Sequence, residues 1–325
     1  MRKILAIDGG GIKGVFPAAF LSTLEDKTNG NIWEYFDLIA GTSTGGIIAL
    51  ALGLGFSARE ILSLYEDNAE RIFPKQKLGR LERFNPKKRI RGAFRQKYET
   101  DALAALLRGK IKGKLLGQSK TRVMILSTNL TDGSVYVFKT AHHERFSHDY
   151  LVPAEDIALA TSAAPIFFKP HTMPSGQALV DGAMWGNNPS GFAAVEAAHV
   201  LGWPAEDIAL LSLGCTQEPV PFGDLAGKNP GAVDWNFGVI DAFFAGQCSA
   251  SEGIAQLIVN DRSGKRYQRY SPIVAPKLFT LDGIDKVQQL KGFGDSEARK
   301  ANPAVQEVFL ANKAERFEPF HKISN

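Results

Sequence analysis

The sequence predicts an α/β fold with a mainly parallel central sheet covered by helices on both faces. Strand and helix patterns alternate up to about residue 215, which is typical of crossover connections between parallel strands. The first strand, Lys3 to Asp8, is a short apolar run ending at glycines, as expected for a strand buried on both faces. We expect a single domain over residues 1–325, with the informative motifs within 3–215 and a more helical C-terminal extension over 216–325.

Local patterns predict the elements in order. Pro17 fits the first turn of a helix, and Ser57 to Glu60 form a capping box that opens a helix toward Ile72. A helix also follows Ser43. The remaining predicted elements are strands at 37–40, 122–128, 135–139, 178–181 and 208–214, and helices at 101–107, 154–164 and 190–201.

Composition excludes several classes of protein. Hydrophobic residues make up 44% of the chain and charged residues 22%, as in ordinary globular proteins, and a net charge of +4 is too small to predict DNA or RNA binding. Cys215 and Cys248 lack metal-ligand spacing, so we expect reduced thiols and no metal site. The apolar run at the N-terminus is too short for a signal peptide, and Ile47 to Phe56 is too short to span a membrane. We expect a cytoplasmic protein.

One motif places a serine between a strand and a helix. Gly41-Thr42-Ser43-Thr44-Gly45 fits G-x-S-x-G, a sharp turn that lifts a serine hydroxyl above a sheet. The motif is short enough to occur by chance, and the alternative is a tight turn with a helix-capping serine. The apolar strand before it and the helix after it favour Ser43 as a nucleophile.

A glycine-rich loop follows the first strand. Asp8-Gly9-Gly10-Gly11-Ile12-Lys13-Gly14 exposes backbone N–H groups that can hold a phosphate or a tetrahedral oxyanion. Gly9, Gly11 and Gly14 also match G-x-G-x-x-G, so a dinucleotide site is the rival hypothesis. That site needs an acidic residue at the end of the second strand, whereas Glu25 and Asp26 fall in the following helix. The dinucleotide hypothesis is therefore disfavoured.

An aspartate follows a later strand. Asp181-Gly182-Ala183 ends an apolar strand, so the carboxylate should lie at the same sheet edge as Ser43. A carboxylate with an ordinary pKa is a weak base for a serine hydroxyl, but burial would raise that pKa. The alternative is a simple Asp-Gly turn.

Together the three motifs resemble those of the patatin-like phospholipase family. The family has D-G-G-G-x-[KR]-G, G-x-S-x-G and D-G-[GA] motifs, which Asp8–Gly14, Gly41–Gly45 and Asp181–Ala183 match in the same order. The resemblance spans about residues 3 to 215. It also includes the stretches Ala160–Pro165 and Asn187–Pro189.

The resemblance implies a Ser–Asp dyad that hydrolyses lipid acyl esters without a metal or cofactor. Ser43 would attack the ester carbonyl and Asp181 would accept its proton. The amides of Gly10 and Gly11, helped by Lys13 or its backbone, would hold the oxyanion. The supporting motif residues would be Asp8, Gly9, Gly14, Gly41, Gly45 and Gly182.

A Ser–Asp–His triad is the competing arrangement. His199 and His321 both follow Asp181 in the chain, so residue order permits it. His199 lies on a helix expected to pack outside the sheet, and His321 is near the C-terminus. We therefore favour the dyad.

Residues 75–97 form a basic segment with ten lysines and arginines and a single acid, Glu82. Leu78, Phe84 and other apolar residues interleave with the charges. Three hypotheses remain open: a solvated surface, contact with anionic lipid headgroups, or binding of a phosphate-bearing regulator.

The later chain is similar to bacterial patatin-like effectors of cyclic-oligonucleotide anti-phage systems. The similarity lies in the closing helical region and in two stretches, Phe243–Gln247 and Arg266–Tyr270. It implies activation by a cyclic dinucleotide from a partner nucleotidyltransferase, action on phospholipid at the inner membrane, and a homo-oligomer. Arg266, Tyr267 and Arg269 are candidate ligand residues because arginine and aromatic faces suit phosphates and bases. The alternative for these three is a charged and aromatic surface across strands.

Two other functions remain open beside a nucleotide-activated phospholipase. One is a constitutive lipase without a nucleotide switch. The other is a binding module that keeps the fold without catalysis, which the presence of both Ser43 and Asp181 disfavours.

Overall fold

A computed structural model of the chain describes residues 1–72, 109, 111–219, 238–276, 278–281 and 283–323. The basic segment 75–97 and the helix expected at 101–107 lie outside the described residues. The strands are β1 Arg2–Ile7, β2 Leu38–Thr42, β3 Arg122–Asn129, β4 Val135–Lys139, β5 His171–Thr172, β6 Ala178–Asp181, β7 Ile208–Leu213 and β8 Tyr267–Tyr270. The helices are α1 Val15–Glu25, α2 Thr44–Gly53, α3 Ala58–Ile72, α4 Ala154–Ser162, α5 Ser190–Val195, α6 Gly238–Val259 and α7 Val287–Val305.

These strands form one mixed sheet. Its order is β5-β6-β3-β2-β1-β7-β8, and β4 pairs with the free edge of β3. The central pairs β1–β2, β1–β7, β2–β3 and β7–β8 are parallel, whereas β4, β5 and β6 join through antiparallel pairs. The predicted fold class, a mainly parallel sheet between helices, is confirmed.

Both faces of the central strands are buried. Leu5 and Ile7 of β1 belong to one apolar core, together with side chains of α1, α2 and α7. Ile4 and Ala6 point the other way, into a second core that includes α5 and the end of α6. This burial on two sides explains why β1 has a continuous apolar run instead of alternating polar and apolar residues.

Two helices end earlier than their sequence patterns predict. The helix expected at 154–164 ends at Ser162, because Ala163 leaves the helical region and its carbonyl accepts the Asp181 amide at 3.2 Å. The helix expected at 190–201 is α-helical only to Val195 and continues as a π turn, Glu196–Val200. Among the helices of the described ranges, none is long and apolar enough to cross a bilayer.

The register of β3 brings the ends of two other strands together. Leu126 pairs with Thr42, the last residue of β2, and the next residue, Ser127, pairs with Asp181, the last residue of β6. β4 pairs with Met124 to Thr128 on one edge of β3, so β2 and β6 lie end to end along the other edge of β3. Their carboxyl ends therefore meet, and the residues that follow them face each other.

Candidate active site

Ser43 lies in a strained turn between β2 and α2. Its backbone φ of 55° and ψ of −125° are rarely adopted by a residue with a side chain, and such strain is common where a nucleophile is held in place. A side chain at Gly45 would come within 2.2 Å of the Ile7 carbonyl oxygen, so α2 can approach β1 this closely only with glycine there. The Ser43 amide donates to the Thr161 hydroxyl at 3.0 Å, which fixes the turn from the α4 side.

Asp181 faces Ser43 directly. The Ser43 hydroxyl donates to Asp181 Oδ2 at 2.5 Å, and the Ala183 amide donates to Oδ1 at 2.8 Å. One carboxylate oxygen is thus oriented by the backbone while the other contacts the candidate nucleophile. The short distance is what direct proton transfer from Ser43 to Asp181 requires.

Burial makes Asp181 a stronger base than an ordinary aspartate. Removing the carboxylate from water raises its pKa to about 7, and the hydrogen bonds from Ser43 and Ala183 offset only part of that shift. A base with a pKa close to neutral combines proton affinity with substantial ionisation at physiological pH.

The glycine loop closes the site on the other side. The Gly9 amide donates to the Asn187 carbonyl at 3.0 Å, and the Ile12 amide donates to the Leu281 carbonyl at 2.9 Å. Between them, the amides of Gly10 and Gly11 have no acceptor among the described residues. Two neighbouring N–H groups of this kind are what an oxyanion hole needs.

The comparisons with known proteins bear on this arrangement. The family model for patatin-like phospholipases matches residues 5–194. This chain belongs to the patatin-like phospholipase family. A protein of Pseudomonas aeruginosa named cGAMP-activated phospholipase is 29% identical over 96% of this chain and 92% of its own length. Proteins of the same name from Vibrio cholerae and Escherichia coli are each 35% identical, over 75% and 66% of this chain and 74% and 62% of their own lengths.

Two further expected site residues of this patatin-like chain, Lys13 and Asp8, have partners within the protein. Lys13 donates its amide to the Gly10 carbonyl at 3.1 Å, so of its two expected contributions to the oxyanion hole only the side chain remains open. Asp8 lies buried at the end of β1 and forms an ion pair with Arg269, with Nη2 and Oδ2 2.6 Å apart. Through this ion pair, Asp8 fixes the start of the glycine loop to β8.

The three candidate ligand residues lie on or beside β8. Arg269 also contacts Ser212 Oγ at 2.5 Å and Glu252 at 3.4 Å. Arg266 donates to the carbonyls of Ala205 and Ile208 at 2.7 and 2.8 Å. Both guanidinium groups thus bind groups of the protein itself, and the Arg269 side chain is only 7% exposed. A nucleotide site at Arg266, Tyr267 and Arg269 stays a prediction that the structure does not test.

None of the six histidines, all of them in described ranges, is hydrogen-bonded to Ser43 or Asp181. His321 contacts the Glu144 carbonyl, and His142 is bonded to Thr140 and Glu196. His171 pairs with Asp156. The geometry therefore favours a dyad over a triad. In the part of the chain that the structure describes, no group of three His, Cys, Asp or Glu side chains has the arrangement of a metal site.

Sequence reasoning missed the residues that hold the site together. Thr161 and Asn187 occur in stretches that resemble the family, but no local pattern shows that one binds the Ser43 amide and the other the Gly9 amide. The ion pair between Asp8 and Arg269 joins residues 261 positions apart. Such partners become visible only once the fold brings them together.

Proposed function

We propose that this chain is a phospholipase that hydrolyses acyl esters of membrane phospholipids through Ser43 and Asp181, and that a cyclic dinucleotide activates it. The observation that carries the chemical part is the 2.5 Å hydrogen bond from the Ser43 hydroxyl to a buried carboxylate of raised pKa. Membership of the patatin-like phospholipase family supports the substrate class.

In the proposed reaction, Ser43 Oγ attacks the ester carbonyl carbon as Asp181 Oδ2 accepts its proton. The carbonyl oxygen becomes an oxyanion, which the amides of Gly10 and Gly11 stabilise. When the intermediate collapses, the bond to the lysophospholipid oxygen breaks and Asp181 returns the proton to that oxygen. Water then attacks the acyl-enzyme carbonyl while Asp181 accepts its proton. The bond between the acyl carbon and Ser43 Oγ breaks, Asp181 returns the proton to Oγ, and the fatty acid leaves.

The regulatory part of the proposal is supported by the relatives. The similar proteins of Pseudomonas aeruginosa and Vibrio cholerae are named cGAMP-activated phospholipases, and the first aligns with nearly the whole chain. We further propose, from the resemblance to anti-phage effectors, that a partner nucleotidyltransferase makes the activator during phage infection. The enzyme would then degrade phospholipid at the cytoplasmic face of the inner membrane.

The test is fatty-acid release from anionic phospholipid vesicles, with and without a panel of cyclic dinucleotides that includes cGAMP. We expect release that depends on one nucleotide and is lost in Ser43→Ala. Ser175→Ala, a change at an exposed loop serine, should leave release unchanged. Release without any nucleotide would keep the hydrolase and reject the switch, whereas no release under any condition would contradict the proposed chemistry.

A further inference from the structure

The first half of α6 exposes large apolar side chains. Val239 and Phe243 are 39% and 72% exposed, and Ile240 and Phe244 are also exposed. Between residues 238 and 251 the sequence contains only one charged residue, Asp241. A clustered, exposed apolar surface of this kind often marks a site that binds a membrane, another protein or a ligand.

This apolar surface continues toward the catalytic pair. A groove of about 460 Å³ separates α6 from the helical turn Ala183–Gly186, and its walls include Met184, Trp185, Val239 and Phe243. The turn begins two residues after Asp181. Met184 is itself 53% exposed, so the apolar side chains continue from the helix onto the turn that follows the candidate base.

Gln247, which lines the groove, forms hydrogen bonds with residues next to Asp181 and next to the glycine loop. Its Nε2 donates to the Ala183 carbonyl at 3.0 Å, and its Oε1 accepts from the Asn187 amide at 2.9 Å. Ala183 binds the Asp181 carboxylate and Asn187 binds the glycine loop. The groove therefore lies beside the residues that contact Asp181 and the glycine loop.

We infer that Val239, Ile240, Phe243, Phe244 and Met184 form a docking face that inserts into the surface of a phospholipid bilayer. This inference rests on the proposed function, because it assigns the surface through which that substrate is reached. A phospholipid ester lies just below the headgroups, so the enzyme must place the mouth of its site against the bilayer. Aromatic and aliphatic side chains on a weakly charged helix face are suited to that depth.

The position of the docking face favours lipid over a protein partner. The face includes Met184 on the turn that begins two residues after Asp181, so a protein bound there permanently would keep a bilayer away from the site. A bilayer that covers the same face delivers the substrate instead. Docking and access to Ser43 are therefore compatible for lipid and in conflict for a second copy of this chain.

The experiment measures vesicle binding separately from catalysis. The changes Val239→Ser and Phe243→Ser are combined in a Ser43→Ala background, and flotation with anionic phosphatidylglycerol vesicles is quantified. The matched control combines Leu151→Ser and Phe320→Ser, whose parent side chains are 51% and 64% exposed. The Phe320 amide donates to the Ala141 carbonyl, just after β4, and neither Leu151 nor Phe320 lines the groove.

We expect the docking-face variant to bind vesicles about tenfold more weakly, because two inserted side chains are lost, and the control to bind as the parent does. With Ser43 restored, the variant should hydrolyse a water-soluble short-chain ester within about twofold of the parent, which also shows that it folds. Equal vesicle binding by the two double variants would overturn the inference. So would a change in oligomeric state without a change in vesicle binding, since that result would assign the face to a second copy.

Failure of the proposed function would look different. If the parent does not hydrolyse the short-chain ester or the vesicles under any condition, the chemistry is rejected, while flotation of the Ser43→Ala proteins still decides the docking face. Folding of the variants in that case is checked by circular dichroism and thermal unfolding.

Discussion

The two walls of the site are built in different ways. On one wall, Ser43 and Asp181 are placed by the backbone, because β2 and β6 end face to face along one edge of β3. On the other wall, the glycine loop is held by groups from distant parts of the chain, among them Arg269 and the Leu281 carbonyl. The proposed nucleophile and base therefore depend on sheet register, whereas the proposed oxyanion-hole wall depends on long-range contacts with the C-terminal region.

The difference separates two kinds of variant. A change in the Ser–Asp wall should remove the chemistry and leave the fold intact. A change in the supports of the glycine loop should affect stability and turnover together, because the same contacts serve both. The predictions below test this division, beginning with the largest effect.

Asp181→Asn should lower kcat by about 10⁴-fold, because the amide cannot accept the Ser43 proton. At pH 5, where the parent carboxyl is still protonated, its effect on the unfolding temperature should be small, since the amide has the same shape and charge as the carboxylic acid. Steady-state hydrolysis of a short-chain ester together with thermal unfolding checks both parts. Asp132→Asn, in an exposed turn, is the control for a charge change alone. Residual activity within about tenfold of the parent would show that Asp181 is not the base.

Arg269→Met should lower the free energy of unfolding by about 3–5 kcal/mol, because it leaves the buried Asp8 carboxylate without its ion-pair partner. Adding Asp8→Asn should recover part of the loss, since the uncompensated charge is then removed. Chemical denaturation of the single and double variants measures this. Arg59→Met, which breaks an exposed ion pair with Asp26, should leave the free energy of unfolding nearly unchanged, because water screens that pair. Equal losses at Arg59 and Arg269 would remove the proposed support for the glycine loop.

Gly11→Ala should lower kcat by about tenfold and cost about 1–2 kcal/mol of stability. Gly11 has a φ of +57°, and an added Cβ would lie 2.3 Å from the Leu281 carbonyl oxygen, so the loop or the segment at Leu281 must shift. Gly113→Ala separates the two causes, because Gly113 has a φ of +74° and nothing within 4 Å of an added Cβ. Gly113→Ala should therefore show the conformational cost without the loss of turnover. A kcat for Gly11→Ala equal to that of the parent would contradict the oxyanion assignment.

The raised pKa of Asp181 predicts opposite effects of pH on turnover and on stability. Below its pKa of about 7 the carboxyl is protonated, so kcat/KM should fall toward about tenfold per pH unit. The native state holds this proton more tightly than the unfolded state, so the stabilising contribution of the protonated group is lost as pH rises from about 4 through 7. Denaturation at pH 5 and pH 8 should show Asp181→Asn gaining stability relative to the parent at the higher pH. No pH-dependent difference between the two proteins would mean that Asp181 titrates normally.

The contrast between the two walls of the site also explains how much of the site could be predicted from the sequence. Ser43 and Asp181 occur in short motifs that follow apolar strands, and the carboxyl ends of neighbouring strands meet at one sheet edge, so their proximity could be expected. The fold class followed from the alternation of strands and helices. The π turn after α5 could not be predicted, because the sequence there continues an ordinary helical pattern.

The supports of the glycine loop were not predicted for a physical reason. Arginine suits phosphates, nucleotides and carboxylates equally well, so its type alone does not identify its partner. Its residue type makes Arg269 a candidate ligand residue, and that role stays a prediction; in the structure its guanidinium binds a carboxylate 261 positions earlier in the chain. Its partner is determined by the addition of β8 to the edge of β7, which no local pattern reveals.

Labelling with a fluorophosphonate tests directly whether Ser43 is a nucleophile that Asp181 activates. The protein is reacted with the probe, the intact mass is measured, and the modified peptide is identified by mass spectrometry. We expect one adduct on Ser43 in the parent, none in Ser43→Ala and much slower labelling in Asp181→Asn. An adduct on another residue, or fatty-acid release by a protein whose Ser43 is never labelled, would contradict this expectation.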